Sequence, residues 1–147
     1  MTEGNIVIRF ANKAEIIHKT KGKRDESLQS SQLLVLPNHY GQKSLILFAK
    51  VLKQNRTFWR RVRIEGHTIP PKIGESDDWE LSSARAAAVA RTVHKYGHIP
   101  SYYLAVAGRA GQNPLDKSKP NANDPANERV EIVVEYAQPR FGWSPKR

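Results

Sequence analysis

Apolar and polar positions alternate through Asn5 to Phe10, "NIVIRF", which predicts a strand. The same period recurs in "TFWRRVRIEGHT", where Val62 and Ile64 fall on one face, Arg61 and Arg63 on the other, and the strand ends at Gly66. Between these strands the period changes. Lys13 to Ser31 is polar, highly charged and interrupted by Gly22, so it reads as an exposed connection or insertion. After "LLVLP", Leu45, Phe48 and Leu52 recur at helical spacing in "HYGQKSLILFAKVLKQN", with Lys43, Lys50 and Lys53 as polar positions, and this predicts a first helix. A second helix is expected to begin around Asp77, whose carboxylate can cap free backbone N–H groups with Glu80 as a capping-box partner. It should end near Gly97, where a glycine can take the left-handed conformation that stops a helix. Ala86, Val89, Ala90, Val93 and Tyr96 share one of its faces, and the small alanines allow close approach to a sheet. "SYYLAVAG" supplies another strand, a long loop follows through "GQNPLDKSKPNANDPANE", and "RVEIVVEY" forms the last strand. The order predicts an α/β two-layer sandwich with one mixed sheet and helices packed against it.

Composition adds constraints. A chain of 147 residues, 39% hydrophobic and 26% charged, is long enough for one domain with a real core. Twenty-four Lys and Arg against fourteen Asp and Glu give a formal net charge of +10, which favours an anionic partner such as nucleic acid, a membrane surface or an acidic wall polymer. The lack of cysteine excludes disulfides, thiolate metal sites and thiol catalysis. No apolar run approaches the length needed to span a bilayer, and "MTEGNIVIRF" lacks the features of a secretion signal, so the chain is expected to be soluble and to be able to form part of something longer.

Catalytic chemistry finds little support. The five histidines, His18, His39, His67, His94 and His98, supply no pair at i, i+4 within a helix, because His94 and His98 straddle the expected stop at Gly97. No metal ligand, catalytic residue or cofactor is therefore assigned. Ser82 and Ser83 lack a Gly-x-Ser-x-Gly setting, and His67 is read as anchoring its loop by hydrogen bonds. "GRAGQNP" lacks the Gly-Lys-Ser/Thr ending of a phosphate loop. What remains is a converging polar site: the end of "RIEGHT", the start of the helix at Asp77, and Arg85 two turns into it. A helix start and a guanidinium both favour a carboxylate. Arg85 could equally pair within the protein, with Asp78 or with the loop.

"RIEGHT", "DDWELSSARAAAV", "YYLAVAGRAGQNP" and "NERVEIVVEY", in this order, resemble the OmpA-like domain family, with "EGHT" and "DWELSSARA" most similar to its MotB branch. The resemblance covers roughly Phe58 to Tyr136 and implies a βαβαβ sandwich that binds peptidoglycan noncovalently through the diaminopimelate of its stem peptide, without catalysis. It divides the chain into residues 1–57, carrying the first strand, the charged loop and the first helix of the domain, a core over 58–136, and a basic proline-containing tail over 137–147. In the family's motif the threonine after Gly-His is followed by an aspartate that takes the diaminopimelate ammonium, and here that position is Ile69. The arginine that takes the carboxylate is present as Arg85, and Thr68, Leu81, Ser82 and Ala86 also match. The family's asparagine before the helix is Asp78, and "NRRVEI" becomes "NERVEI", which keeps Asn127 and Arg129 and places Glu128 between them. The resemblance thus implies a ligand site of Thr68, Ile69, Asp77, Asp78, Leu81, Ser82, Arg85, Asn127 and Arg129, with Asp77 or Asp78 as replacement for the missing acid.

Three functional readings follow. The first is a periplasmic wall anchor that ties an envelope complex, such as a flagellar-stator-like motor, to peptidoglycan, with a homodimer expected from the resemblance. The second is a family member without glycan binding that acts as a structural or protein-interaction module of an envelope or secretion complex, a reading that Ile69 and Glu128 favour. The third, nucleic-acid binding, rests on charge and "RTFWRRVR" alone and is the weakest.

Overall fold

The computed structural model describes residues 5–11, 18–20, 34–36, 39–120 and 123–137. Its elements are β1 (Asn5–Ala11), β2 (His18–Thr20), β3 (Leu34–Leu36), α1 (His39–Gln54), β4 (Trp59–His67), α2 (Trp79–Gly97), β5 (Leu104–Gly108) and β6 (Arg129–Tyr136). Four strands form one mixed sheet in the order β1-β6-β4-β5. β6 runs antiparallel to both β1 and β4, and β4 runs parallel to β5 through the crossover helix α2. The expected α/β sandwich is therefore present, with α1 and α2 packed together and α2 lying on β4 and β5. β2 and β3 form a separate antiparallel pair. His18–Thr20 is thus strand where an exposed connection was expected, and most of that charged stretch lies outside the described residues, as do residues 138–147 of the tail.

The period-2 pattern explains how the sheet's two faces differ. Val62 and Ile64 of β4 and Val130, Ile132 and Val134 of β6 point into the core, where they meet Leu45, Ala49 and Leu52 of α1 and Ala86, Val89 and Val93 of α2. Arg63, Glu65 and His67 of β4 and Arg129, Glu131 and Glu135 of β6 alternate with them on the opposite face. α1 shows the matching helical alternation, with Leu45 fully buried and Leu47 mostly exposed. Among the described residues no helix is long and apolar enough to cross a membrane.

Both ends of α2 differ from the sequence expectation by one residue. Asp78, not Asp77, is the N-cap, and its carboxylate accepts from the Leu81 N–H at 3.2 Å. Glu80 consequently falls at the second helical position, one short of where a capping box reaches back. At the other end Gly97 is still helical, and His98 takes the left-handed conformation at φ 50°. A Cβ on Gly97 would lie 2.9 Å from Ala49 Cβ, so this glycine serves the close approach of α1 to α2 and not the helix stop. His94 Nδ1 meets the Ile99 carbonyl at 2.7 Å across the turn.

Candidate ligand-binding site

The site is built where β4 and β5 end under the first turns of α2. Gly66 and Gly108 make this possible, because a methyl on either would overlap the Ser82–Ser83 segment, at Gly66 the Ser82 carbonyl itself. The loop after β5 is then strapped to the helix and to the loop after β4. The Arg109 N–H donates to the Gly66 carbonyl at 2.8 Å, and the Thr68 N–H to the Ala110 carbonyl at 2.9 Å. The fully buried Ser82 hydroxyl accepts from the Ala110 N–H at 3.1 Å and donates to the Trp79 carbonyl at 3.0 Å. Asp77 completes the strap by accepting from the Gly111 N–H and the Gln112 side-chain amide. Ala110 has φ 47°, a strained value for a residue with a Cβ, and these bonds hold it there.

Arg85 lies at the centre of this frame, with its side chain 9% exposed. Its guanidinium makes two long contacts, Nη1 to the His67 carbonyl at 3.5 Å and Nη2 to Glu128 Oε2 at 3.7 Å, while buried Nε has no partner. The buried Thr68 hydroxyl, beside the carbonyl that Arg85 reaches, also has none. Burial lowers the Arg85 pKa, and the carboxylates of Glu128 and then Asp78 oppose that shift. A buried guanidinium with an open donor edge can take a carboxylate side-on through two parallel bonds, which would satisfy donors that water no longer reaches.

The expected site residues do not all converge. Thr68, Ser82 and Arg85 come together at the junction of β4 and α2, and Leu81 is buried beside Ala88 under the same helix. Ile69 is half-buried, and Gly111 packs so closely on Ile69 and Pro70 that a Cβ there would overlap Pro70. Both candidate replacement acids are already engaged, Asp77 in the loop strap and Asp78 in the helix cap. Asn127 is buried and accepts from the Leu115 N–H at 2.9 Å. Arg129 faces away from Arg85, on the opposite side of the sheet, where it donates to Glu131 Oε1 at 2.8 Å, to the Asn127 carbonyl at 3.2 Å and to the Asn113 carbonyl at 3.0 Å. Glu128, which departs from the family's motif, is the acid that pairs with Arg85.

The opposite face carries a network of charges. Glu65 Oε1 accepts from Arg63 at 2.9 Å and Arg109 at 3.1 Å, and Glu131 Oε1 from Arg9 at 3.0 Å and Arg129 at 2.8 Å. Glu135 pairs with Arg63 and Arg60. These pairs, with Trp59 only 3% exposed, leave the "RTFWRRVR" stretch with much of its charge matched internally and one of its aromatics withdrawn from the surface. His67 is fully buried within the network, its Nε2 3.8 Å from Glu65 Oε2 and 3.9 Å from Glu131 Oε2. Neither ring nitrogen has a hydrogen-bond partner, so the ring does not anchor the loop as expected. Burial, then the charge of Arg129, lowers its pKa to about 4, against the pull of Glu131 and Glu65, and the ring is neutral at pH 7. The three side chains have metal-ligating atoms within 4.8 Å of one another, but Arg9, Arg63, Arg109 and Arg129 surround the two carboxylates and oppose a divalent cation there.

The OmpA family profile matches residues 29–129, more than half of the chain. The chain belongs to the OmpA family. OmpA-family domains are non-catalytic structural and binding modules. The chain is 33% identical over 104 residues to YtxE, an uncharacterised protein of Bacillus subtilis, in a match that covers 61% of this chain and 43% of that protein, so the chain spans less than half of that relative. In fold it is similar to the periplasmic domain of Helicobacter pylori MotB, with a TM-score of 0.59 at 16% identity over 90% of this chain and 83% of that one. It is likewise similar to the cell-wall anchor of the T6SS from Pseudomonas aeruginosa, with a TM-score of 0.58 at 22% identity over 90% and 82%.

Proposed function

We propose that this OmpA-family domain binds peptidoglycan noncovalently through the stem peptide and anchors an envelope complex to the wall, with Arg85 as the clamp for the ligand carboxylate. The observation that carries this reading is the buried guanidinium of Arg85, whose Nε lacks a partner beside the equally unpartnered hydroxyl of Thr68. Buried donors left open in this way are costly, and a carboxylate would satisfy them. The likeness to the T6SS cell-wall anchor and to a MotB periplasmic domain supports wall attachment and a periplasmic or other extracytoplasmic location. Attachment of a flagellar-stator-like motor, action as a homodimer and the division of the chain at residues 57 and 136 belong to the same proposal.

The test is cosedimentation of the purified chain with peptidoglycan sacculi. Arg85→Ala removes the clamp and should weaken retention by about ten- to hundredfold, corresponding to the roughly 1.5–3 kcal/mol of a hydrogen bond to a charged group. Its melting curve and far-UV circular dichroism should stay cooperative and folded. Equal retention of both proteins would remove Arg85 from the site. No retention of the wild type would favour the second reading, a structural or protein-interaction module of an envelope or secretion complex, which the pairing of Glu128 with Arg85 supports.

A further inference from the structure

A second surface lies outside the Arg85 site, on α1. This helix meets the end of α2, where Gly97 packs on Ala49 and Gln42 Nε2 donates to the Tyr96 hydroxyl at 2.9 Å, about three turns beyond Arg85. The side of α1 turned away from the core carries Lys43, Leu47, Lys50, Val51 and Gln54, all exposed and within an arc of about 100° at 3.6 residues per turn. Lys53 is exposed at the flank of that arc. Leu47 is 64% and Val51 53% exposed, and Phe58, in the turn that follows the helix, is 66% exposed. That turn is fixed in place. Arg56 Nη1 donates to the Trp59 carbonyl at 2.7 Å, its guanidinium lies over the Trp59 and Tyr103 rings, and Trp59 Nε1 donates back to the Leu52 carbonyl at 2.9 Å.

Charge identifies the partner. From Ser27 to Ile64 the sequence has no acidic residue. The ion pairs among the described residues engage Arg9, Arg60, Arg63, Arg85, Arg109 and Arg129, and none reaches Lys43, Lys50 or Lys53. Unmatched cations interleaved with exposed aliphatic side chains fit a surface that is anionic at its face and apolar just beneath, which a bilayer containing acidic lipids offers. Lysine stems can lie along the apolar groups while their ammonium ends reach lipid phosphates. A second copy docked through the same face would bring lysines against lysines, and a hydrophilic polyanion would leave Leu47 and Val51 without apolar cover. We propose that the outer face of α1 is a membrane-contact surface for an anionic lipid bilayer, with Lys43, Lys50 and Lys53 on the headgroups and Leu47 and Val51, flanked by Phe58, at the acyl boundary. The proposal does not draw on Arg85 or on wall binding.

Cosedimentation of the full chain with vesicles tests this, using equimolar phosphatidylglycerol and phosphatidylcholine against phosphatidylcholine alone. The wild type should bind the anionic vesicles about tenfold or more tightly, and the preference should shrink at high salt. Lys43→Gln/Lys50→Gln/Lys53→Gln should lose about tenfold or more on anionic vesicles, and Leu47→Ser/Val51→Ser about tenfold. All five positions are exposed, so both variants should keep the melting curve of the wild type. A wild type without preference for anionic vesicles would overturn the proposal. So would a Leu47→Ser/Val51→Ser variant that binds them as tightly as the wild type, since the face would then be a purely electrostatic dock for a hydrophilic polyanion or an acidic protein. Retention on peptidoglycan sacculi should be the same for the wild type and both variants; a loss there matching the loss on vesicles would assign the lysines to the wall polymer and overturn the proposal.

Discussion

His67 makes the stability of this domain depend on pH in a window that can be worked from the structure. Its ring is fully buried with both nitrogens unpartnered, and its pKa falls from 6.5 to about 4. Between those values the unfolded chain holds a proton that the folded chain does not, so the unfolded state gains stability as acid is added. The contribution of the neutral ring is fully present above about pH 6.5 and is lost progressively as pH falls towards 4. At about 1.4 kcal/mol per pH unit the whole loss is about 3 kcal/mol. The pull of Glu131 and Glu65, less than 4 Å from Nε2, is already contained in that value, and burial with the charge of Arg129 outweighs it. Glu131 titrates lower in the scale. Burial would raise its pKa, but its bonds to Arg129 and Arg9 outweigh that and hold it below the usual carboxylate value. Its contribution is therefore lost only as pH falls below the range of an ordinary glutamate.

The assay is urea denaturation of wild type and His67→Gln at intervals from pH 4.5 to 7.5. Glutamine cannot titrate, so the difference in unfolding free energy between the two proteins isolates the histidine from every other group. That difference should change by about 2–3 kcal/mol across the window, with the wild type losing ground as the solution becomes more acidic. Parallel curves would refute the reasoning and show that His67 takes up its proton at the same pH in the folded and unfolded chain.

Three further outcomes test other parts of the structure. Gly66→Ala would drive a methyl into the Ser82 carbonyl and force α2 off the strand ends, with a loss of about 3 kcal/mol or more by denaturant melting; a loss below about 1 kcal/mol would mean that the helix start moves freely. Val93→Ala would leave a void at a fully buried position between α2 and the sheet and cost about 1–3 kcal/mol, and an unchanged melting temperature would show that this side chain is not packed in the core. Ile69→Asp puts an acid where the family's motif carries one and should strengthen binding of a diaminopimelate-containing stem peptide by up to about 1.5–3 kcal/mol, with the gain shrinking at high salt; an affinity equal to that of the wild type at both salt concentrations would show that position 69 does not face the ligand.

The sequence made the layers legible because burial of one face imposes a period. Val62 and Ile64 in β4 and Val130, Ile132 and Val134 in β6 are visible as alternation, and all of them reach the core. Local end signals were less exact, because neighbouring residues compete for the same role. Asp77 and Asp78 are both able to cap α2, and the loop after β5 decides between them by taking Asp77. Gly97 looked like a helix stop, yet the need for space lies at Gly97 and the need for a left-handed residue at His98. Long-range pairs were the least legible. Nothing in local spacing joins Arg85 to Glu128, or Arg63 to Glu135, since each pair depends on which strands and helices become neighbours. The short β2–β3 pair escaped for the same reason.

The two faces of the sheet are coupled at two consecutive stretches of chain, and this decides how binding to the site should be read. Asn127 and Arg129 flank Glu128 and are both buried, the first fixed to the Leu115 N–H, the second to Glu131 and to the carbonyls of Asn127 and Asn113. The acid at the mouth of the Arg85 site is thus positioned by a network on the opposite face. His67 makes the second link, since its ring sits inside that network and its carbonyl meets Arg85 Nη1 at 3.5 Å. Protonation of His67 would disturb Glu131, then Arg129, then the backbone that carries Glu128, while acting directly on the carbonyl under Arg85. Affinity for the ligand should therefore fall only as pH drops towards about 4, where the folded protein takes up a proton on His67, whereas stability already declines from about pH 6.5, where the unfolded chain takes one up. His67→Gln separates the causes: a variant whose affinity no longer falls over that range would place the titration in the network and not in the ligand.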